Sequence, residues 1–352
     1  MSLKVGIIGN GGIAHAHGDG YKELGDRVEL VACCDIDFEK AKKYAGEYNI
    51  PNYYDNCYDM LKDNDLDLVS VCTWNSAHKE CTVAALNAGC NVICEKPMAM
   101  STAEALEMKA AAEKNGKLLM IGFVRRQGND AAAAKDFVEK GYLGDIYYAK
   151  ASYLRRCGFP GGWFGDKSRS GGGPLIDLGV HIIDLSRYIM GNPKPVTVFG
   201  ATFDKIGARS HIKTSGWVSE TKVDEPIFTV EDLATAMIRF DNGAVLQVEA
   251  SFNLNMGNKD NIIEFFGDKA GLTLDPFELH TECNNRLADI TVHGKNDFNF
   301  HRDFNREIKN FVDAVEGKAE CLATADDGVR LMQILDAVYE SSRTGKSVDI
   351  VY

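Results

Sequence analysis

Lys96 stands between Glu95 and Pro97 at the end of a short apolar run, Asn91–Cys94. An ammonium group in that position can exchange a proton with a hydroxyl. Alone, it also fits a surface lysine ahead of a helix-starting proline. Further along, Asp177-Leu178-Gly179-Val180-His181 places a carboxylate and an imidazole four residues apart. On a helix that spacing puts both side chains on one face. The carboxylate can orient the imidazole, and the imidazole can take a proton from an alcohol. Near the start of the chain, Gly9-Asn10-Gly11-Gly12-Ile13-Ala14 offers a different chemistry. Gly9 permits a tight turn, Gly11 lets backbone approach a pyrophosphate, and Ala14 in place of a third glycine still allows close helix–strand packing. The phosphates would sit among the free N–H groups of a helix N-terminus.

A glycine triplet alone is weak evidence, since any glycine-rich turn shows it. Here the next strand-like run ends in Asp35, 21 residues beyond Ala14, close to the roughly 20 expected of the acid that binds a dinucleotide ribose. A carboxylate accepts hydrogen bonds from both ribose hydroxyls and repels a 2′-phosphate. Ile36, Asp37 and Phe38 supply no arginine to neutralise one. The expected cofactor is therefore NAD rather than NADP.

These groups need a scaffold. The first 122 residues alternate strand-like runs, Lys4–Ile8, Val28–Cys34, Leu66–Thr73, Asn91–Cys94 and Leu118–Gly122, with helix-like stretches, Gly12–Leu24, Phe38–Tyr48, His78–Ala88 and Thr102–Asn115. The strand runs are continuously apolar, as parallel strands covered on both faces are. The pattern predicts a doubly wound parallel sheet. Cys72-Thr73-Trp74-Asn75 and Glu95-Lys96-Pro97 then lie at the carboxyl edge, where ligands collect. Thr73, Trp74, Asn75 and His78 are candidates to reach the cofactor there, although His78 alone reads better as a local cap at a helix start.

After Gly122 the pattern becomes α+β. Asp130–Lys140 reads as a helix, Asp145–Leu154 as a strand, and Asp177–Met190 as a helix behind the glycine-rich stretch Gly158–Gly173. The glycines of Ser170-Gly171-Gly172-Gly173-Pro174 let backbone pass close to a ligand. Val230, Asp232, Ala234, Ala236, Ile238 and Phe240 share one phase of a strand, and Asp241-Asn242-Gly243 turns it back through Ala244–Phe252. Ile262–Phe266 and Leu272–Leu274 predict a second hairpin. The fold class expected is thus α/β: a Rossmann domain, 1–122, and an α+β domain, 123–352, with a large, mostly antiparallel open sheet. The terminal helices, Arg302–Val315 and Asp326–Thr344, are free to pack back on the first domain. Thr202–Pro226 is polar and irregular, the best candidate for a mobile loop.

Composition excludes several classes. The 352 residues carry a net charge of −12 and a pI near 5.2, which argues against a nucleic-acid partner and gives no reason to expect an anionic membrane surface. No run reaches the roughly 18–20 apolar residues of a membrane span, and Lys4–Gly9 is too short for an export signal. The ten cysteines are scattered without a C-x-x-C, which reads as buried reduced thiols of a cytoplasmic protein. No metal site is expected: Asp177 and His181 are too few ligands, His15-Ala16-His17 is a poor motif, and His17 reads as packing in the first helix. Arg125-Arg126, Arg155-Arg156 and Arg169 flank the chemical motifs. They suit a carboxylate or phosphate on a substrate, but pairing with the chain's surplus acids is the default.

Taken together these motifs resemble the glucose–fructose oxidoreductase, inositol dehydrogenase and rhizopine-catabolism family (Gfo/Idh/MocA). The resemblance rests on Gly9–Ala14, Cys33-Cys34-Asp35-Ile36-Asp37, Asp67–Asn75 with His78, Glu95-Lys96-Pro97, and Gly171–Gly173 leading into Asp177–His181. It covers nearly the whole chain. It implies Lys96, Asp177 and His181 as the catalytic group; Arg125, which follows the last strand of the first domain at the ligand-binding edge, is the candidate substrate contact beside them. It implies a cofactor set of Gly9, Gly11, Gly12, Ile13, Asp35, Thr73, Trp74, Asn75, His78, Glu95 and Lys96. Trp163 falls where similar proteins cover the nicotinamide, and fits equally well as a core aromatic. The implied activity is NAD-dependent hydride transfer from a sugar, cyclitol or sugar-derivative hydroxyl. The implied assembly is a homodimer or homotetramer through the second sheet. A non-catalytic cofactor-binding regulator and a redox-neutral NAD-using glycosidase are the alternatives. Accumulation of NADH separates the first reading from both.

Overall fold

The computed structural model describes residues 2–212, 218–219, 227–257 and 261–351. It divides into two compact units, 1–124 with 299–332, and 125–298 with 333–352.

The first unit is built on β1 (Leu3–Ile8), α1 (Gly12–Glu23), β2 (Val28–Cys34), α2 (Phe38–Tyr48), β3 (Asn52–Tyr54), α3 (Cys57–Asp63), β4 (Leu68–Val71), α4 (His78–Asn87), β5 (Asn91–Glu95), α5 (Thr102–Asn115) and β6 (Leu119–Gly122). The six strands are all parallel, in the order β3-β2-β1-β4-β5-β6. This is the doubly wound order, with its switch point between β1 and β4. The apolar runs of β4 and β6 are buried along their whole length, as strands covered on both faces must be. Helix boundaries follow their caps. Asp37 accepts the Lys40 N–H to start α2. Ser101 Oγ accepts the Glu104 N–H at 3.3 Å to start α5, the Glu104 carboxylate accepts the Met100 N–H at 3.1 Å, and Gly116, left-handed at φ 61°, ends the helix, an N-cap and an αL stop. β3 and α3 escape the sequence pattern. β3 is three residues long and only partly buried, so it carries no apolar run.

The second unit contains α6 (Asn129–Glu139), β7 (Ile146–Leu154), α7 (Lys167–Ser170), a π turn over Leu175–Gly179, α8 (Val180–Ile189), β8 (Pro195–Phe203), β9 (Leu233–Phe240), β10 (Val245–Ser251), β11 (Ile263–Gly267), β12 (Gly271–Thr273), β13 (Glu278–Cys283) and β14 (Arg286–Thr291). Then come α9 (Phe300–Val315), α10 (Ala325–Thr344) and β15 (Val348–Asp349). α9 and the first part of α10 cluster with the first unit, and the rest of α10 and β15 with the second. The nine-stranded sheet runs β14-β13-β12-β11-β7-β10-β9-β8-β15. Its neighbours are antiparallel except β7 and β10.

The alternating phase of β9 is buried at Ala234, Ala236, Ile238 and Phe240, and the Asp241–Gly243 turn closes with Gly243 at φ 87°. β8, β13, β14 and β15 were not expected from sequence. β13 and β14 are largely exposed and so show no apolar period. Thr202 and Phe203 of the expected mobile loop belong to β8, and most of the remainder, 213–217 and 220–226, lies outside the described residues. The cysteines form no disulfide, and seven of the ten are buried. Burial pushes the Cys33 and Cys94 thiols up to about 12, which makes them inert. No helix among the described residues is long and apolar enough to cross a membrane.

Candidate functional site

In the first unit the carboxyl ends of neighbouring parallel strands bring four motifs to one edge. Gly9 follows β1 at φ 84°, and its N–H donates to the Cys34 carbonyl at 2.8 Å. A Cβ there would lie 2.8 Å from the Cys72 carbonyl and the Thr73 nitrogen, so only glycine fits on both counts. Gly11 opens α1 with no side-chain cap and no acidic residue in the first turn, which leaves its N–H groups for an anion. Beside Gly11 the space is open: only the Lys40 Nζ comes within 4 Å of where a Cβ would stand, at 3.7 Å.

Asp35 follows β2. Its Oδ2 accepts the Asn10 N–H at 2.8 Å and its Oδ1 the Asp37 N–H at 3.0 Å. The carboxylate is thereby aimed by backbone, with lone pairs left for a diol. Asn10, 2% exposed, has no hydrogen-bond partner for either side-chain polar atom. Buried amides are rarely left so, and this one lies within the glycine turn after β1. The residues present therefore fit NAD: Gly9, Gly11, Gly12 and Ile13 for the phosphates, Asp35 for the ribose.

Thr73, Trp74 and Asn75 follow β4. Thr73 Oγ1 donates to the Trp74 carbonyl at 3.1 Å, and Asn75 is buried at the start of a short 3₁₀ turn. His78 is 1% exposed, and its ring nitrogens face the Pro97 carbonyl at 2.7 Å and the Thr73 carbonyl at 3.1 Å. Burial lowers its pKa. A neutral imidazole can donate to one carbonyl only, and the shorter contact places that proton on Nδ1. The ring thus ties the loops after β4 and β5 together. It is not the local cap expected at the helix start. Lys96 follows β5, its peptide bond to Pro97 is cis, and its N–H donates to Glu95 Oε2 at 3.2 Å.

In the second unit, Asp177 lies in the π turn and His181 in the first turn of α8. The continuous helix expected over Asp177–Met190 is replaced by this junction. π turns insert one residue per turn and recur at functional sites. Within Gly172–Met190, Asp177 and His181 are the two side chains that are not buried. The turn is held from beneath: Glu231 Oε1 accepts the Leu175 N–H at 3.2 Å and the Tyr339 hydroxyl at 2.9 Å. Burial raises the Glu231 carboxyl above its ordinary value and raises the Tyr339 hydroxyl too. A Cβ on Gly172 would meet the Tyr339 Oη at 1.9 Å, and one on Gly173 the Glu231 carbonyl at 2.2 Å. Those glycines admit close approach of the protein's own chain, which corrects the expectation that they pass close to a ligand. Trp163 sits in the 3₁₀ turn Gly162–Gly165 and stacks on Phe164 at 4.1 Å between centroids.

Four of the five flanking arginines have protein partners. Arg125 pairs with Asp130 at 2.7 Å and lies over the Phe298 ring. Arg126 grips Asp184 with two hydrogen bonds, 2.9 and 2.6 Å, both side chains nearly fully buried. Arg169 pairs with Asp166 at 3.4 Å, and Arg155 donates to the Gly158 carbonyl. Sequence reasoning assigned no role to Asn10, Lys40, Glu231 or Tyr339. Asn10 was visible inside the glycine motif. Lys40, Glu231 and Tyr339 left no signal.

Two family models match the chain. One, described as the oxidoreductase family, NAD-binding Rossmann fold, covers residues 3–123, and its C-terminal alpha/beta domain covers residues 135–350. The chain is 38% identical to the D-glucoside 3-dehydrogenase of Escherichia coli K12 over 350 residues, 99% of this chain and 97% of that protein. It is 28% identical to the levoglucosan dehydrogenase of Pseudarthrobacter phenanthrenivorans, over 78% of this chain and 74% of that protein. Among solved structures, levoglucosan dehydrogenase in complex with NADH and L-sorbose is similar, with a TM-score of 0.87, 25% identity and full coverage of both chains.

Proposed function

Because this chain belongs to the Gfo/Idh/MocA oxidoreductase family and carries its NAD-binding Rossmann domain, we propose that it oxidises a secondary hydroxyl of a neutral sugar or cyclitol, with D-glucosides as the first class. The observation that carries this reading is the edge of the six-stranded sheet. There the Gly9 turn, the backbone-aimed Asp35, Thr73 and Lys96 stand at the ends of adjacent parallel strands.

NAD, when bound, accepts the hydride from the carbon being oxidised. Gly9, Gly11, Gly12 and Ile13 hold its phosphates and Asp35 its ribose, with Thr73, Trp74, Asn75, Glu95 and Trp163 completing the set. Lys96 and His181 exchange the substrate's hydroxyl proton, and Asp177 holds the imidazole. The arginines' engagement with Asp130, Asp184 and Asp166 favours an uncharged substrate. The extent of the likeness to a D-glucoside 3-dehydrogenase points to the 3-hydroxyl of a glucoside. The assembly proposed is a homo-oligomer through the open sheet. Phe199 and Met237 are register partners on β8 and β9, and both are about half exposed.

The test is NADH absorbance with methyl D-glucosides, levoglucosan, myo-inositol and the matching uronates. Accumulation of NADH with a neutral sugar, and a 3-keto product, is expected. Tight NAD binding without NADH from any of them would direct attention to the regulatory or redox-neutral alternatives.

A further inference from the structure

Beneath Lys96 lies a chain of buried polar groups that runs from Glu95 away from the residues assigned to the cofactor. His17, on α1, is 0% exposed. Its Nε2 is 3.0 Å from Glu95 Oε1, and its Nδ1 is 3.0 Å from Ser70 Oγ on β4. The Tyr21 hydroxyl lies 2.9 Å from the same Oγ. The other oxygen of Glu95 accepts the Lys96 N–H. One assignment of protons satisfies every link: Tyr21 donates to Ser70, Ser70 donates to His17 Nδ1, and His17 Nε2–H donates to Glu95. Burial holds the Tyr21 phenol protonated, as the first link requires. The pocket leaves no slack, since a Cβ on Gly122 would come within 3.0 Å of Glu95 Oε1. Glu307 of α9, also 0% exposed, brings its carboxylate within 4.8 Å of the His17 and Glu95 atoms. The three are compact enough for a metal ion, yet both His17 nitrogens already face hydrogen-bond partners.

Had His17 only filled space between α1 and the sheet, an apolar side chain would serve with no desolvation cost. Without it, the Glu95 carboxylate keeps one backbone N–H and is free to turn away from it. We propose that His17 is a positioning residue for Lys96: it fixes the Glu95 carboxylate, which in turn fixes the backbone from which the lysine projects. The inference rests on the reading of Lys96 as a proton-transfer group.

The experiment compares His17→Gln, long enough to donate to Glu95, with His17→Asn, which keeps a polar group in the pocket but falls short. Turnover is measured with the best neutral sugar of the panel above, NADH affinity by fluorescence titration, and folding by thermal melts. His17→Asn is expected to lower kcat about 10-fold or more, with KM and NADH affinity within about 3-fold, while His17→Gln stays within about 3-fold throughout. In a double-mutant cycle the His17→Asn loss should largely vanish on a Lys96→Ala background, because the two act as one unit. In the cofactor-free protein the His17 Nε2–H should give a slowly exchanging proton resonance. Equal kcat for the Asn and Gln variants, losses that multiply in the cycle, or no protected ring proton would each overturn the inference. Normal turnover in Lys96→Ala would instead bring down the reading of Lys96. A crippled Lys96→Ala beside an unaffected His17→Asn brings down only the role given to His17.

Discussion

The Asn10 backbone N–H and the Asp35 carboxylate meet at 2.8 Å, joining the glycine turn after β1 to the end of β2. The bond uses one lone pair of Asp35 Oδ2 and holds the carboxylate beside that turn. It makes Asp35 part of the turn's framework as well as the ribose ligand proposed above. Lys40, whose Nζ stands over Gly11, is the nearby cation if that carboxylate is removed.

The first prediction concerns cofactor choice. NAD should bind more tightly than NADP, and Asp35→Ser should narrow the ratio by ~10-fold or more, about 1.4 kcal/mol. Part of the gain should disappear when Lys40→Ala is added. Titration of both cofactors against the three proteins decides it. Equal affinities in the unaltered protein refute the role given to Asp35.

The second concerns proton transfer. Lys96→Ala and His181→Ala should each reduce kcat by ~10²-fold or more with NADH affinity nearly unchanged. Steady-state kinetics beside cofactor titration give the answer. A variant with near-normal turnover removes its residue from the catalytic group.

The third concerns the Arg126–Asp184 pair. Both groups are nearly fully buried, so deleting one strands the other. Arg126→Met or Asp184→Leu alone should destabilise the protein by about 3–5 kcal/mol, whereas replacing both should recover most of that loss. Urea unfolding of the single and double variants measures it. Single variants as stable as the parent would mean the pair is hydrated in solution.

The fourth follows from Glu231. Its carboxyl is raised by burial, so its contribution to stability is full below the ordinary value of 4.5 and is lost as pH rises through the folded value. Glu231→Gln keeps an acceptor for the Leu175 N–H and the Tyr339 hydroxyl but carries no charge. The variant's stability relative to the parent should therefore increase as pH climbs from about 4.5, and the two should run parallel at lower pH. Melts across pH 3 to 8 follow the difference, and a pH-independent gap would show that folding leaves the Glu231 carboxyl at its ordinary value.

The sequence alone determined the parts of this protein that depend on period and spacing. Continuous apolar runs with helical stretches between them require a covered parallel sheet. A parallel sheet puts the residues after every strand at one edge, so the Gly9 turn, Asp35, Thr73 and Lys96 had to gather there. The β9–β10 hairpin was legible for the same reason, from strict alternation and an Asp-Asn-Gly turn. What the tertiary structure decided are the features with no local signal. β13 and β14 are exposed on most of their length, so no hydrophobic period marks them. The π turn under Asp177 depends on Glu231 and Tyr339, which are 56 and 108 residues away from their partners, Leu175 and Glu231. Arg126 read by default as paired with an acid of the chain, but only the fold names that acid: Asp184, 58 residues on, which accepts from both Nε and one terminal nitrogen. His17 looked like packing until Glu95, 78 residues on, was found against its ring. Local patterns fix where backbone runs, because propensity and burial act residue by residue. The partner of a buried charge or imidazole is set by whatever the folded chain brings within about 3 Å, and that distance is written in no single stretch of sequence.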